Sequence, residues 1–383
     1  MKIKKITASV HQFPIYLPMI DEPLEQRVVT FCEVETDEGL KGCGVTGAFL
    51  PWALVPAIEK EIFPVIEGMD PRDTEAIHDK VWWAVNPRAY TGVVSNALSA
   101  IDIACWDIHG KATDRTVAQL LGGHRDWAPT YITFGYPFFD RDQLCEYARK
   151  FVSEGNSRLK MVVALDKGGW REDARRIRAV RDAVGPDIDI MIDANYRFTP
   201  VDALMLSRAV EDCNLTWFEE PLHQNDARAL ADLRNRTNIP IACGQMEGHR
   251  WRIRELIEKQ AVDILQPNCC YNGGYTETRK AAHLAQAYNM PIANGAGWPI
   301  FNMHTMAGLM NGWLVEFHWG MWQAGQKLFK GAPAPENDRV KIPDAPGLGF
   351  EPIYEALEET RVPDPETLMD AGMQTNLDGI TKV

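Results

Sequence analysis

Five residues with useful chemistry share one setting. Lys160, Asp193, Glu219, Gln245 and Glu316 each stand in or at the end of a short apolar run: "RLKMVV", "DIMID", "LTWFEE", "IPIACG" and "WLVEF". Two further runs, "VDILQ" and "MPIAN", are followed or closed by Asn268 and Asn294. Asn195 lies just past Asp193, and His318 follows Glu316 by two. Carboxylates arriving from separate runs suit a hard divalent cation, because uncompensated negative charges at close range are costly and oxygen ligands match Mg²⁺. A lysine in the same place suits carboxylate binding or proton transfer. The stretch "IPIACGQMEGHR" poses the sharpest question, since it puts an amide, Gln245, where a carboxylate would serve a cation better, and follows it with Glu247, His249 and Arg250.

These positions make sense only if the runs are strands that end at one rim. From about Tyr131 onward eight apolar runs recur at spacings of roughly 25–30 residues, with amphipathic segments such as "EDARRIRAVRDAV" and "TETRKAAHLAQAY" between several of them. That alternation predicts parallel strands with helical crossovers, and eight strands close a (β/α)₈ barrel whose site lies at the strands' carboxyl ends. Counting alone leaves a doubly wound open sheet as the other arrangement. Earlier in the chain, "KKITASVHQFPI" and "VVTFCEVETDEGLKGCGV" read as antiparallel strands around a "TDEG" turn. The following "SNALSAIDIACWDIHGKA" reads as a helix with Leu98, Ile101, Cys105 and Ile108 on one stripe. The expected organisation is an α+β N-terminal capping domain (1–125), an α/β barrel domain (126–335) and a C-terminal segment (336–383) returning to the cap.

Composition narrows the partners. The 383 residues carry 40 basic and 53 acidic side chains, a net charge of −13. That argues against nucleic acid or an anionic membrane surface, both of which need a basic face. No run approaches the ~20 apolar residues of a membrane span. Eight cysteines without a C-x-x-C pair predict reduced, buried thiols and a cytoplasmic protein. The N-terminal lysines mimic a signal peptide, but His11, Gln12 and two prolines interrupt the apolar part, so a first strand is expected there.

"MIDAN" (191–195), "WFEEPL" (217–222), "VDILQPNCCYNGGYTE" (262–277) and "PDAPGLG" (343–349) resemble the enolase superfamily, in its mandelate racemase / muconate lactonizing enzyme branch with acid-sugar dehydratases. The likeness spans nearly the whole chain and implies a modified TIM barrel with a capping domain. It also implies Mg²⁺, a small carboxylate substrate, a homo-oligomer, and a lyase or isomerase that removes the proton α to a carboxylate. Carried over by position, the resemblance makes Asp193 and Glu219 metal ligands and puts Gln245 at the third. It places Lys160 and Glu316 on the substrate carboxylate. The positions where the family keeps its bases hold Val162, Asn268 and Gly295, so the proton acceptor is open, with His249 and Glu247 as candidates.

Each assignment has a plainer counterpart. Gln245 could be a neutral ligand, or Glu247 could replace it, or no cation binds the free protein. Glu247 and His249 could simply open the next helix. Lys160 could be a buried structural ion pair. Asn195, Asn268, Asn294, Trp298 and His318 could be core groups or could contact a polyol. Two rival functions follow: a catalytically silent binding protein on this scaffold, and a metal-independent glycoside hydrolase using two of Glu219, Glu220 and Glu316.

Overall fold

The computed structural model describes residues 1–17, 19, 23, 25–47, 49–136, 138–164 and 167–367. Strands β1 (Ile3–Ile15), β2 (Glu25–Thr36) and β3 (Lys41–Thr46) form an antiparallel meander in the order β1-β2-β3. The helix Val93–Thr113 lies on β3, its stripe of Leu98, Ile101, Cys105 and Ile108 wholly buried. The approach is close: a Cβ on Gly42 or Gly44 would stand 2.1 Å from the carbonyl oxygens of Ala104 and Ala100. Any larger residue at either position would push the helix off the sheet. "PWALVPAIEKEIFPVI" is helical from Pro51 to Ile66, but Ala57–Ile62 is a π turn flanked by Pro56 and Pro64, which lack the N–H groups a regular ladder needs.

The barrel follows. Strands β4 (Trp127–Gly135), β5 (Arg158–Val162), β6 (Asp189–Asp193), β7 (Trp217–Glu219), β8 (Ile241–Cys243) and β9 (Ile264–Leu265) pair in sequence, all parallel, and β10 (Val315–His318) returns to pair with β4. The expected seventh strand, "MPIAN", is too short for a ladder. It closes the ring through single parallel bridges from Ile292 to Leu265 and Gly312, with Asn294 N donating to Leu314 O (3.0 Å).

Side chains alternate along each strand, so inward positions fall in layers. Tyr131, Met191, Trp217, Ala242, Ile264, Ala293 and Leu314 form an apolar plug. Two residues further along their strands come Thr133, Asp193, Glu219, Gln266 and Glu316. The plug thus carries the polar layer, and Lys160 Nζ lies 5.3 Å from the centre of the Tyr131 ring.

The C-terminal segment binds both parts. Arg339–Lys341 adds antiparallel to β4, Gly347 bridges to Thr116, and Arg361–Val362 adds to β1. Residues 368–383 lie outside the described residues. All eight cysteines are free and seven are buried. Among the described residues no helix is long and apolar enough to cross a membrane.

Candidate active site

The polar layer centres on an ammonium group. Lys160 Nζ lies 2.6 Å from Glu219 Oε1, 2.8 Å from Glu316 Oε1 and 3.2 Å from Asp193 Oδ2, with all four side chains almost fully buried. Burial alone would favour neutral lysine, yet Glu219, Glu316 and Asp193 outweigh it and raise the Lys160 pKa well above its ordinary value. Glu316 is also buried, which by itself would raise its pKa. Lys160, His318 and the bonds from Lys160 and Thr133 overcome that and hold the carboxyl below its usual range. Thr133 Oγ1 donates to Glu316 Oε1 (2.5 Å) and Gly297 N to Glu316 Oε2 (2.7 Å). Glu219 Oε2 accepts from Gln266 Nε2 (2.8 Å) and Trp217 Nε1 (3.1 Å). Asp193 Oδ1 accepts from Asn195 N (2.8 Å), in a turn where Asn195 and Tyr196 both take positive φ.

Charge is unbalanced here. Three acids face one ammonium, and burial, with Asp193 and Glu316 close by, pushes the Glu219 carboxyl well above its usual range despite Lys160. With all three ionised the buried layer would hold two negative charges in excess. A divalent cation would cancel them. Gln245 supplies the geometric counterpart. Its Oε1 is buried with no hydrogen-bond partner among the described residues. A Cβ on Gly295 would stand 2.3 Å from that oxygen and 3.0 Å from Glu219 Oε1, so both oxygens face one small space beside the Gly295 backbone. Among the described residues no three His, Cys, Asp or Glu side chains form a ready cation cage. The third oxygen here belongs to an amide, and Lys160 stands among the carboxylates. Two carboxylates, one amide oxygen and a surplus of negative charge nevertheless fit a hard divalent cation.

The other candidates are distributed as follows. Asn268 Nδ2 donates to Gly295 O (2.6 Å) and Gly297 O (3.1 Å), while its Oδ1 accepts from Cys270 N and Asn302 Nδ2. Asn294 donates to Gly297 O (2.9 Å) and accepts from Glu316 N (2.7 Å). Both amides are spent on holding the 295–297 loop rather than facing open space. Trp298 is fully buried, its Nε1 donating to Tyr271 OH (3.2 Å). His318 lies on the inner face of β10 above Glu316, half-buried, its Nδ1 buried without a partner among the described residues. Burial pushes its pKa down to about 4.

Glu247 and His249 sit elsewhere. Glu247 accepts from Arg252 Nε (3.0 Å) and Asn225 Nδ2 (3.2 Å). His249 caps the helix Arg250–Glu258, accepting from Arg252 N at Nδ1 (3.3 Å), and its ring meets Trp251 edge-on. Trp251 in turn stacks on Trp82 of the capping domain. Neither residue touches Lys160, Asp193, Glu219 or Glu316 in these contacts. Sequence reasoning passed over Thr133, Gln266, Asn302 and Asn225. A polar residue inside an apolar run was the available signal for the first two.

An eight-position parallel barrel with its charged layer at the carboxyl ends, roofed by an α+β cap, defines an enolase-type architecture. Residues 5–122 match the mandelate racemase / muconate lactonizing enzyme N-terminal domain, and residues 143–356 match the enolase C-terminal domain-like family. The chain belongs to the mandelate racemase / muconate lactonizing enzyme family of the enolase superfamily. It is 33% identical to the D-galactarolactone cycloisomerase of Agrobacterium fabrum over 89% of this chain and 93% of that one. It is 30% identical to the arabinonate dehydratase of Saccharolobus solfataricus over 87% and 89%. Among solved structures, the L-talarate/galactarate dehydratase of Salmonella typhimurium LT2, liganded with Mg and L-lyxarohydroxamate, superposes with a TM-score of 0.85. That match has 28% identity and covers 94% of this chain and 93% of the other.

Proposed function

We propose that this protein is a Mg²⁺-dependent lyase or isomerase that removes the proton α to the carboxylate of a sugar acid or its lactone. Dehydration, epimerisation or cycloisomerisation would then complete the reaction. The observation that carries the reading is that Asp193 and Glu219 meet at Lys160 while the Gln245 oxygen, without a partner among the described residues, shares a space with Glu219 Oε1. The named dehydratase and cycloisomerase relatives support the reaction class. In this reading Asp193, Glu219 and Gln245 hold the cation, which supplies positive charge where the substrate carboxylate gains electron density.

The protein's own groups do the rest. Lys160 donates to the substrate carboxylate from a position fixed by three acids. Glu316, held by Thr133 and the Gly297 amide, orients it from the other side. The Asn268, Asn294 and Asn302 amides keep the 295–297 loop closed against the site. Proton transfer is assigned to His318, two residues beyond Glu316 on the same strand, whose Nδ1 has no partner among the described residues; Glu247 and His249 are held by Arg252 and the helix start instead. The amide-fixed site gives no support to a silent scaffold, and a two-carboxylate hydrolase would leave Lys160 and Gln245 without a role.

The test is exchange of solvent deuterium into the α-position across a panel of aldonates, aldarates and their lactones, with and without Mg²⁺. Wild type is expected to exchange at least one substrate only with the cation. Asp193→Asn is expected to abolish exchange, and His318→Asn to slow it more than His249→Asn. Exchange that persists in excess chelator, or no exchange across the panel, would overturn the reading.

A further inference from the structure

Gln245 does not merely replace an acid; it is held by one. Its Nε2 donates to Glu220 Oε2 at 2.6 Å, and Glu220 is fully buried. Glu220 Oε1 accepts from Asn225 Nδ2 (2.9 Å), which also donates to Glu247 Oε1. Arg252 fastens the far end, donating to Glu247 Oε2 (3.0 Å) and to Asn225 O (2.7 Å). A continuous relay therefore runs from the helix Arg250–Glu258 to the Gln245 amide.

The relay has a direction. An ionised carboxylate only accepts hydrogen bonds, and both Glu220 oxygens lie against amide nitrogens, so the group facing Glu220 is the Gln245 nitrogen. Turning the amide over would bring two acceptor oxygens into contact at about the same separation and leave the N–H₂ in the space shared with Glu219. With the nitrogen committed to Glu220, the oxygen must point at that space, where it has no partner among the described residues.

We propose that Glu220 is a positioning residue whose task is to fix the Gln245 side chain with its oxygen turned toward Glu219, converting an amide into a directed cation ligand. The inference rests on the metal-dependent reading above and deepens it. It also gives the "MEGHR" continuation a role, since Glu247 anchors Asn225, which holds Glu220.

A donor–acceptor swap tests it. Mn²⁺ would be titrated calorimetrically into the full chain without substrate, in wild type, Glu220→Gln, Gln245→Glu and the double variant, with thermal unfolding in chelator as the folding control. Glu220→Gln alone is expected to weaken Mn²⁺ binding roughly 10–100-fold, the usual effect of losing an outer partner. In the Gln245→Glu background the same change should cost little or strengthen binding, because the amide placed at 220 then donates to the carboxylate at 245. Asn225→Ala should weaken binding in the wild-type background. An equal loss from Glu220→Gln in both backgrounds would show that Glu220 contributes only charge and would overturn the inference, as would an effect below twofold. If folded wild type takes up no Mn²⁺ at all, the metal-dependent reading falls and the inference with it.

Discussion

Lys160→Met is the perturbation with the largest expected consequence. The side chain is apolar and of similar length, so it fills the same volume while deleting one charge. At an effective dielectric of ~20, an ammonium at the observed separations of 2.6, 2.8 and 3.2 Å attracts each carboxylate by about 5–6 kcal/mol before the cost of desolvation. Desolvation offsets most of that in the intact cluster, but it stays uncompensated when the lysine is removed and three acids remain. Breaking such buried pairs costs about 3–5 kcal/mol. Uptake of a proton by Glu219, already pushed upward by burial, limits the loss rather than removing it. In chelator the variant should therefore melt roughly 4–6 °C below wild type. Mg²⁺ should then recover more of the lost stability than it adds to wild type, because the cation now balances charge that the lysine no longer does. At a hundred times its Kd a ligand contributes about 2.7 kcal/mol. The assay is a melting curve of each protein in chelator and across a Mg²⁺ series, with deuterium exchange followed alongside. Exchange should be lost in the variant even when stability is restored. A variant that melts within 2 °C of wild type in chelator, with the same Mg²⁺ response, would refute the claim that Lys160 balances the carboxylates.

Three further outcomes are expected. Gly295→Ala adds a Cβ that would meet Gln245 Oε1 at 2.3 Å and Glu219 Oε1 at 3.0 Å; Mn²⁺ affinity should drop at least tenfold while the melting temperature in chelator changes little, which calorimetry and melting together would show. Thr133→Val removes the hydroxyl that donates to Glu316; it should lower the rate of exchange, with a destabilisation of about 1–3 kcal/mol from the acceptor left short of a partner. His304 is buried, with Nε2 against Leu348 O, and burial pushes its pKa down to about 3 from 6.5. The unfolded chain then binds more protons than the folded one between those values, so stability is complete above about pH 6.5 and falls as pH drops. By pH 5 this one histidine should cost roughly 2 kcal/mol, and His304→Gln should show a visibly shallower acid slope in denaturant melts.

The sequence made the barrel and the polar layer legible for one physical reason: a strand buried on both sides must be apolar, so each charged residue in such a run stands out. Lys160, Asp193, Glu219 and Glu316 could be found that way, and they meet within 2.6–3.2 Å. Asn268 and Asn294 stand out by the same rule, but the rule does not say which way an amide's bonds are spent, and here the backbone of 295–297 takes them. His249 and Glu247 illustrate the opposite difficulty. Residues adjacent in sequence to a rim position leave the rim as soon as the chain enters the next helix, and a helix start rewards the same acids and cap acceptors that a catalytic site uses. The glutamine is the instructive case. As a residue type it looks like the loss of a ligand, and no local pattern says otherwise. On the proposal above its meaning lies in Glu220, one strand away, which takes the amide nitrogen and leaves the oxygen turned toward Glu219. A neutral ligand can do an acid's work in orientation when a neighbouring acid fixes it. That dependence is written in a contact between strands, where reading along the chain does not reach.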